Sequence, residues 1–397
     1  MKKRKIAVFT GNRAEYGLQY PLLKAIEKHS ELDYSLIVSG AHLDNNFGKT
    51  LSEIEADGFN ITAEVEINMN ADTLHATTQA IGSGILSLSN ALLKIKPDIM
   101  VVYADRFEGF AAVIAATQMN IPTAHIEGGD ITEGGALDDS VRHAMSKLAH
   151  LHFTTNQQAT NRVLAMGEED WRVHTVGLPA IDMISLGNYA SPNEISEKLD
   201  LDLNKPIILF TQHSVTTEFS EAEVQINPSL EALVKLSEDG IQIICTYPNN
   251  DAGGKAIISA LDKLSSKSIP EIQVHRSLGR HLYHGVLALA KDKRHKIACV
   301  GNSSSGIKET PVFGCPTVNI GSRQKGRLRG QNVIDADYDV SSIIKAINKC
   351  FFNKNFRVKS RLTDNPYYIG NAGEKIANIL ASISLNDSII RKKMTLS

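Results

Sequence analysis

IMVVYADRFEGFAAVIAATQMNIPTAHI, residues 99–126, decides the fold. Ile99-Met-Val-Val-Tyr103 is an unbroken apolar run, the mark of a strand buried on both faces. Phe107 to Met119 reads as a helix, and Pro122 to Ile126 as the next strand. A helix between two such strands makes them parallel neighbours. The rhythm continues with a helix around Asp139 to Lys147 and a strand near Leu151 to Thr154. Upstream lie a strand at Lys5-Ile-Ala-Val-Phe-Thr10, a helix through Leu18, Leu22 and Ile26, a strand at Tyr34–Ser39 and a long helix from about Thr73 to Ile95. After Val173-His-Thr-Val176 the pattern loosens through Gly177-Leu-Pro179 and Gly187–Pro192, then restarts with strands at Pro206–Thr211, Ile241–Thr246, Lys296–Val300 and Pro316–Ile320. The expectation is α/β, two doubly wound Rossmann-like domains facing a cleft. Residues 1–186 form the first, 187–364 the second, and 365–397 a helical tail that can pack back on the first.

Composition narrows the function. The 397 residues carry 42 Lys+Arg against 44 Asp+Glu, a balance that speaks against a nucleic-acid binder. No apolar run reaches the roughly 20 residues of a membrane span. Cys245, Cys299, Cys315 and Cys350 are widely spaced, without a CxxC pair. A reduced, cytoplasmic protein with no membrane partner and no disulfide framework is expected.

In parallel sheets, ligands collect where strands end. Gly11-Asn-Arg13 follows the first strand. It is not a dinucleotide fingerprint, but Gly11 lets backbone approach a ligand and Arg13 can pair with phosphate; an ordinary turn reads as well. Asp105-Arg106 and His125-Ile-Glu127-Gly-Gly129 end two further strands, and Asp138-Asp-Ser-Val-Arg-His143 opens a helix, with one aspartate expected as its N-cap. If Asp105, Glu127 and Asp138 converge, repulsion should leave one of them protonated, dividing acid from base. In the second half, His213 ends a strand, where a hydrogen-bonded structural role is the commoner one. Gly301-Asn-Ser303-Ser304-Ser-Gly306 follows another strand and opens a helix, a composition that cradles diphosphate. Glu309 lies one turn on, placed for ribose hydroxyls. The basic run Gly321-Ser-Arg323-Gln-Lys325-Gly-Arg327-Leu-Arg329 suits an anion or plain solvent, and Asp335-Ala-Asp337-Tyr-Asp339 reads as a solvated turn rather than a metal loop. There is no HExxH and no GxSxG.

Asp105-Arg-Phe107, His125-Ile-Glu-Gly-Gly129, Asp138–His143, Gly301-Asn-Ser-Ser304 and Gly321-Ser-Arg323 occur in the order found in the hydrolysing UDP-N-acetylglucosamine 2-epimerases of sialic acid synthesis, and from Lys5 to about Gly373 the chain resembles that family. The resemblance implies a GT-B fold, a UDP-sugar partner, no metal or other cofactor, and a homodimer or homotetramer. It implies that Asp105, Glu127, Asp138 and His213 are catalytic and that Arg13, Ser303, Ser304 and Gly306 hold the diphosphate. It further places Glu309 on the ribose, Arg323 near the sugar-phosphate, and His42, Arg106, Asn250 and Asp251 along the ligand. Non-hydrolysing relatives carry Ala-Gly where this chain has Gly128-Gly129. The added Glu133-Gly-Gly135 leaves the substituent at sugar C4 open. A sister group that resembles this loop as well acts on UDP-2,4-diacetamido-2,4,6-trideoxyglucose, on the route to legionaminic acid. Against these stand a GT-B glycosyltransferase, which needs an acceptor pocket, and a UDP-sugar sensor, which has no use for Asp105, Glu127 and Asp138.

Overall fold

The apolar runs become strands, and every pairing between them is parallel. The structure, a computed structural model, describes residues 3–43, 51–67, 73–132, 137–249 and 251–395. The first unit runs to Met183, except for Thr132–Gly134, and takes in Tyr367–Ser397; the second is Ile184–Pro366 with Thr132–Gly134. The first holds β1 (Arg4–Thr10), β2 (Leu32–Ser39), β3 (Ile61–Val65), β4 (Ile99–Tyr103), β5 (Thr123–Ile126), β6 (Leu151–Thr154) and β7 (Val173–Thr175) in the order 3-2-1-4-5-6-7. The second holds β8 (Ile207–Thr211), β9 (Gln242–Thr246), β10 (Ile272–His275), β11 (Ile297–Gly301), β12 (Thr317–Ile320) and β13 (Val333–Ala336) in the order 10-9-8-11-12-13. Each sheet therefore reverses its winding once, between β1 and β4 and between β8 and β11. Register is fixed there by Ile6 beside Ile99 and by Ile207 beside Ile297. At such a reversal the loops leave in opposite directions and open a crevice for ligand.

Burial explains why these segments stay put. All five residues of β4 are buried, and so is each residue of β8. The helix Leu74–Ile95 buries Ala76, Ala80, Gly84, Leu88 and Leu92, a four-residue spacing that makes one stripe. A Cβ on Gly84 would stand 3.1 Å from Ala111 Cβ, so small residues let this helix lie close on the Ala-rich helix Phe107–Gln118. That second helix begins directly after Asp105-Arg106 and is held rigidly to the sheet. All four cysteines are buried and unbridged, and burial pushes the Cys245 thiol up to about 12. Among the described residues no helix is long and apolar enough to cross a membrane.

Two expectations are corrected. Asp335 and Ala336 belong to a strand, not a solvated turn, and Asp335 pairs with Arg329 (2.7 Å) and accepts from Asn319 (2.9 Å). Asp339 caps the helix Val340–Phe352. Asp138 and Asp139 both lie inside the first turn of the helix Leu137–Leu148, so neither is its N-cap.

Candidate active site

Two adjacent strand ends in the first unit carry carboxylates. After β4, Ala104 takes a left-handed φ of 54° and donates to Ile126 O (2.9 Å); after β5, Glu127 takes φ 68° and donates to Phe153 O (2.9 Å). Left-handed backbone costs an ordinary residue about 1 kcal/mol or more and tends to mark working sites. His125 braces both turns. Its Nε2–H donates to Ala104 O (2.7 Å), while Nδ1 accepts from Ser146 Oγ (3.0 Å). Complete burial holds its pKa down to about 3, so the ring stays neutral and serves as a strut.

The carboxylates have unlike neighbours. Glu127 is buried and accepts from the Tyr103 hydroxyl. Asp105 takes an ion pair from Arg142, which is wholly buried and also donates to Asp139 Oδ1 (2.6 Å) and Asp130 O (2.9 Å). One guanidinium thus compensates Asp105 and Asp139 together. Asp138, half-buried, precedes Asp139 in the first turn of the helix Leu137–Leu148. Elsewhere in the first unit, burial and then the neighbouring Glu108 charge raise Glu15 to about 8.

Around the β1–β4 reversal, Asn12 caps the helix Arg13–Lys28, so Arg13 is its first residue. Arg106 lies 3.4 Å from the buried Glu108 carboxylate. His42 is fully buried, with Nε2 3.1 Å from Thr10 Oγ1 and its ring edge-on to Tyr16.

The reversal in the second unit is tied by one side chain. Asn302 accepts from His213 N–H (2.6 Å) and donates to His213 O (2.9 Å), joining the ends of β8 and β11. His213 Nδ1 accepts from Asn249 N–H (3.1 Å), which places the ring proton on Nε2. Gly301 has φ 128°, and a Cβ there would stand 1.9 Å from Thr211 O, so no side chain fits. Ser303 and Ser304 follow, but the helix they open is only Ser305–Lys308, with a second short turn at Thr310–Phe313. Glu309 falls at the break between them. It accepts from Ser305 Oγ (2.8 Å) and His284 Nε2 (3.0 Å). Burial opposes its charge, yet these partners hold the carboxyl below its usual range. Arg323 reaches Asn302 O (3.3 Å), and Gly306 lies against Thr317. Asp251 accepts Gly254 N–H through its backbone (2.9 Å); Asn250 lies outside the described residues, as does Glu133-Gly-Gly135. One reversal point thus gathers His213, Ser303, Ser304, Glu309 and Arg323.

The sequence profile described as UDP-N-acetylglucosamine 2-epimerase matches residues 24–381. The chain belongs to that family. A Legionella pneumophila protein named UDP-N,N'-diacetylbacillosamine 2-epimerase (hydrolyzing) is 32% identical over 390 residues, 98% of each chain. A Neisseria meningitidis UDP-N-acetylglucosamine 2-epimerase is 33% identical over 350 residues, 87% of each. Among solved structures, that of UDP-GlcNAc 2-epimerase from Neisseria meningitidis bound to UDP-GlcNAc superposes with a TM-score of 0.78 at 19% identity, covering 95% of this chain and 99% of that one. The two parallel α/β units are those of these GT-B-type epimerases, and the chain is a UDP-sugar 2-epimerase.

Several residues that surround the candidate site groups are not evident in the sequence. Arg142 stood inside a quoted motif without a role, although Asp139 three residues before it on a helix was a usable signal. Tyr103, Asn302 and His284 gave none, because their partners lie far away in the chain. Glu15 and Glu108 carry no mark in the sequence, and both are buried.

Proposed function

We propose that the enzyme is a hydrolysing 2-epimerase that converts UDP-N-acetylglucosamine and water to N-acetylmannosamine and UDP. The carrying observation is the pair of strand-end carboxylates in unlike surroundings, Asp105 on Arg142 and Glu127 on Tyr103. Two carboxylates so distinguished can divide the proton transfers of an epimerisation.

The C2–H of a hexosamine has no carbonyl beside it, so simple deprotonation is too hard. It becomes feasible when the C1–O bond to UDP breaks at the same time, leaving C1 with oxocarbenium character. Glu127 or Asp138 takes the C2 proton and UDP leaves with the bonding pair, giving the glycal. Water then adds its oxygen to C1, and Asp105 assists return of a proton to the opposite face of C2. Ser303, Ser304, Arg13 and Arg323 bind the diphosphate and stabilise its departure by fixed charge and dipoles, with His213 assisting near the phosphate and Glu309 on the ribose. Arg106 and Asp251 line the ligand, while His42, fully buried on Thr10 and Tyr16, supports the turn from behind.

Support for hydrolysis comes from Gly128, where non-hydrolysing relatives have Ala. A Cβ here would stand 2.7 Å from Ser146 Oγ and 3.1 Å from His125 Nδ1, so Ser146 and the His125 ring would have to give way to it. A second reading takes UDP-2,4-diacetamido-2,4,6-trideoxyglucose as substrate, and rests on the full-length likeness to the Legionella protein.

Both UDP-sugars should be incubated side by side in D2O. The expected result is free UDP and a manno sugar with solvent deuterium at C2, faster from UDP-N-acetylglucosamine. Asp105→Asn, Glu127→Gln and Asp138→Asn should each retain UDP affinity while turnover falls by about 10²-fold or more. Product without deuterium at C2, or near-normal turnover in all three variants, defeats the mechanism. Faster turnover of the diacetamido sugar selects the second reading.

A further inference from the structure

The β1–β4 reversal of the first unit holds a feature that the proton transfers do not use. Gly11 N–H donates to Glu15 Oε2 (2.7 Å), and Asn12 Oδ1 accepts from Glu15 N–H (3.0 Å). A capping arrangement of this kind normally leaves its glutamate in water. Here Glu15 is 4% exposed and Glu108, on the first turn of the helix Phe107–Gln118, is 0% exposed. Neither Glu15 Oε1 nor Glu108 Oε2 makes a hydrogen bond. The backbone has been shaped to admit them. A Cβ on Gly11 would stand 2.8 Å from Glu108 Cβ, and one on Gly40, already at φ 56°, would stand 2.6 Å from Gly11 O and 3.1 Å from Glu108 Oε1.

The charges beside this pair do not balance if both carboxyls are ionised. Arg106 faces Glu108 at 3.4 Å from two of its nitrogens, a long contact for a charged pair. From the turn after β2 comes His42, engaged with Thr10 Oγ1. On the helix of Glu15 itself, Tyr16 donates to Asp57 (2.7 Å), and Arg13 stands two residues before Glu15. Among the described side chains facing the pair, Arg106 carries the positive charge; two buried negative charges against it would be costly, and retaining a proton removes the excess.

We propose that Glu15 keeps a proton beside Glu108 and that the two act as positioning residues, leaving Arg106 and the Gly11–Arg13 turn set for the anionic UDP-sugar. This rests on the function proposed above. With one proton held, the pair and Arg106 sum to zero, and the guanidinium is not drawn fully onto Glu108. Removing the proton adds a second negative charge at the reversal, which pulls Arg106 inward and repels diphosphate. Burial first, then the neighbouring Glu108 charge, lifts Glu15 to about 8, so the change falls on the alkaline side of neutrality.

The test compares wild type with Glu15→Gln, which has the shape of the protonated acid, and Glu15→Ala, between pH 6.5 and 9.5. Wild-type KM for the UDP-sugar should rise at least about fivefold from pH 7 to 9.5 with little change in kcat. Glu15→Gln should keep the neutral KM and lose the rise, while Glu15→Ala should raise KM at every pH. Carbon-13 spectra of glutamate-labelled protein should show one carboxyl titrating near 8 that is missing from Glu15→Gln. The proposal is overturned if Glu15→Gln retains the wild-type rise, if wild-type KM is flat, or if no such carboxyl exists. Should neither UDP-sugar turn over, the functional reading fails on its own. Calorimetric UDP affinity over the same pH range then decides the pair, an alkaline loss absent from Glu15→Gln supporting it and a flat profile overturning it.

Discussion

Arg142 shows how one side chain can hold a site together without touching a substrate. It is wholly buried, pairs with Asp105 from one strand end and Asp139 from its own helix, and donates to the backbone at Asp130. Such a group is costly to desolvate and far more costly to remove, because its partners are left charged and unmatched. Arg142→Ala should therefore destabilise the first unit by about 3–5 kcal/mol in urea unfolding, and Arg142→Lys, which lacks the fork, should recover only part of it. A loss below about 1 kcal/mol would mean that water replaces the guanidinium and that Asp105 is positioned by something else. The residue scale is also where the sequence is least legible. Asp105, Glu127 and Glu309 can be picked out because they stand at strand ends or one turn into a helix. What each one bonds to depends on Tyr103, Arg142 and His284, brought near only by folding.

Among the elements, the same physics separates what can be read from what cannot. β1, β4, β8 and β11 lie at the sheet centres, are covered on both faces, and read directly as apolar runs. β3, β10 and β13 are edge strands, half-exposed and polar, so Ile61-Thr-Ala-Glu-Val65 and Ile272-Gln-Val-His275 offer only a short apolar–polar alternation in place of an apolar run. Edge elements also depend more on side-chain networks, and the segment before β7 has one built on Glu168. That carboxylate, 2% exposed, accepts from Lys147 (2.6 Å), His152 (3.0 Å) and Lys392 (2.8 Å). Burial works against its charge, but these donors outweigh it and lower the pKa from 4.5 to about 2. That fall is equivalent to at most about 3–4 kcal/mol. Because the folded value is the lower one, this stability is fully present above pH 4.5 and is lost as the pH falls through 2. Glu168→Gln should cost about 2–3 kcal/mol at pH 7 and flatten the acid limb of the stability curve. An acid limb identical to wild type would show that other carboxylates govern acid unfolding.

For the whole chain, the notable feature is that the last residues complete the first unit rather than the second, to which they are joined. Tyr367 O accepts from Leu178 N–H (2.9 Å), and Asp182 accepts from Gly373 N–H (2.9 Å). The helix Ala372–Ser382 lies on the helix Arg13–Lys28, so close that a Cβ on Gly373 would stand 2.8 Å from Pro21 C. Arg172, also wholly buried, ends on carbonyls of this tail, Ser388 O (2.6 Å) and Ile389 O (2.8 Å). Tyr367, Ile376, Leu380 and Ile389 are each at most 1% exposed. Four such side chains contribute roughly 6–12 kcal/mol by area, an upper figure that rivals the roughly 5–15 kcal/mol of a whole domain. A chain ended after Pro366 should therefore lose the fold of its first unit, while the second keeps its own sheet and core. In hydrogen exchange, amides of β4 and β5 should lose protection and those of β8 and β11 retain it. Activity should vanish with the ordered placement of Asp105 and Glu127, yet UDP should still protect the Gly301–Glu309 segment, because the groups proposed to hold it lie mostly in the second unit. Preserved protection across β4 and β5 would mean that the tail merely covers a sheet able to stand without it.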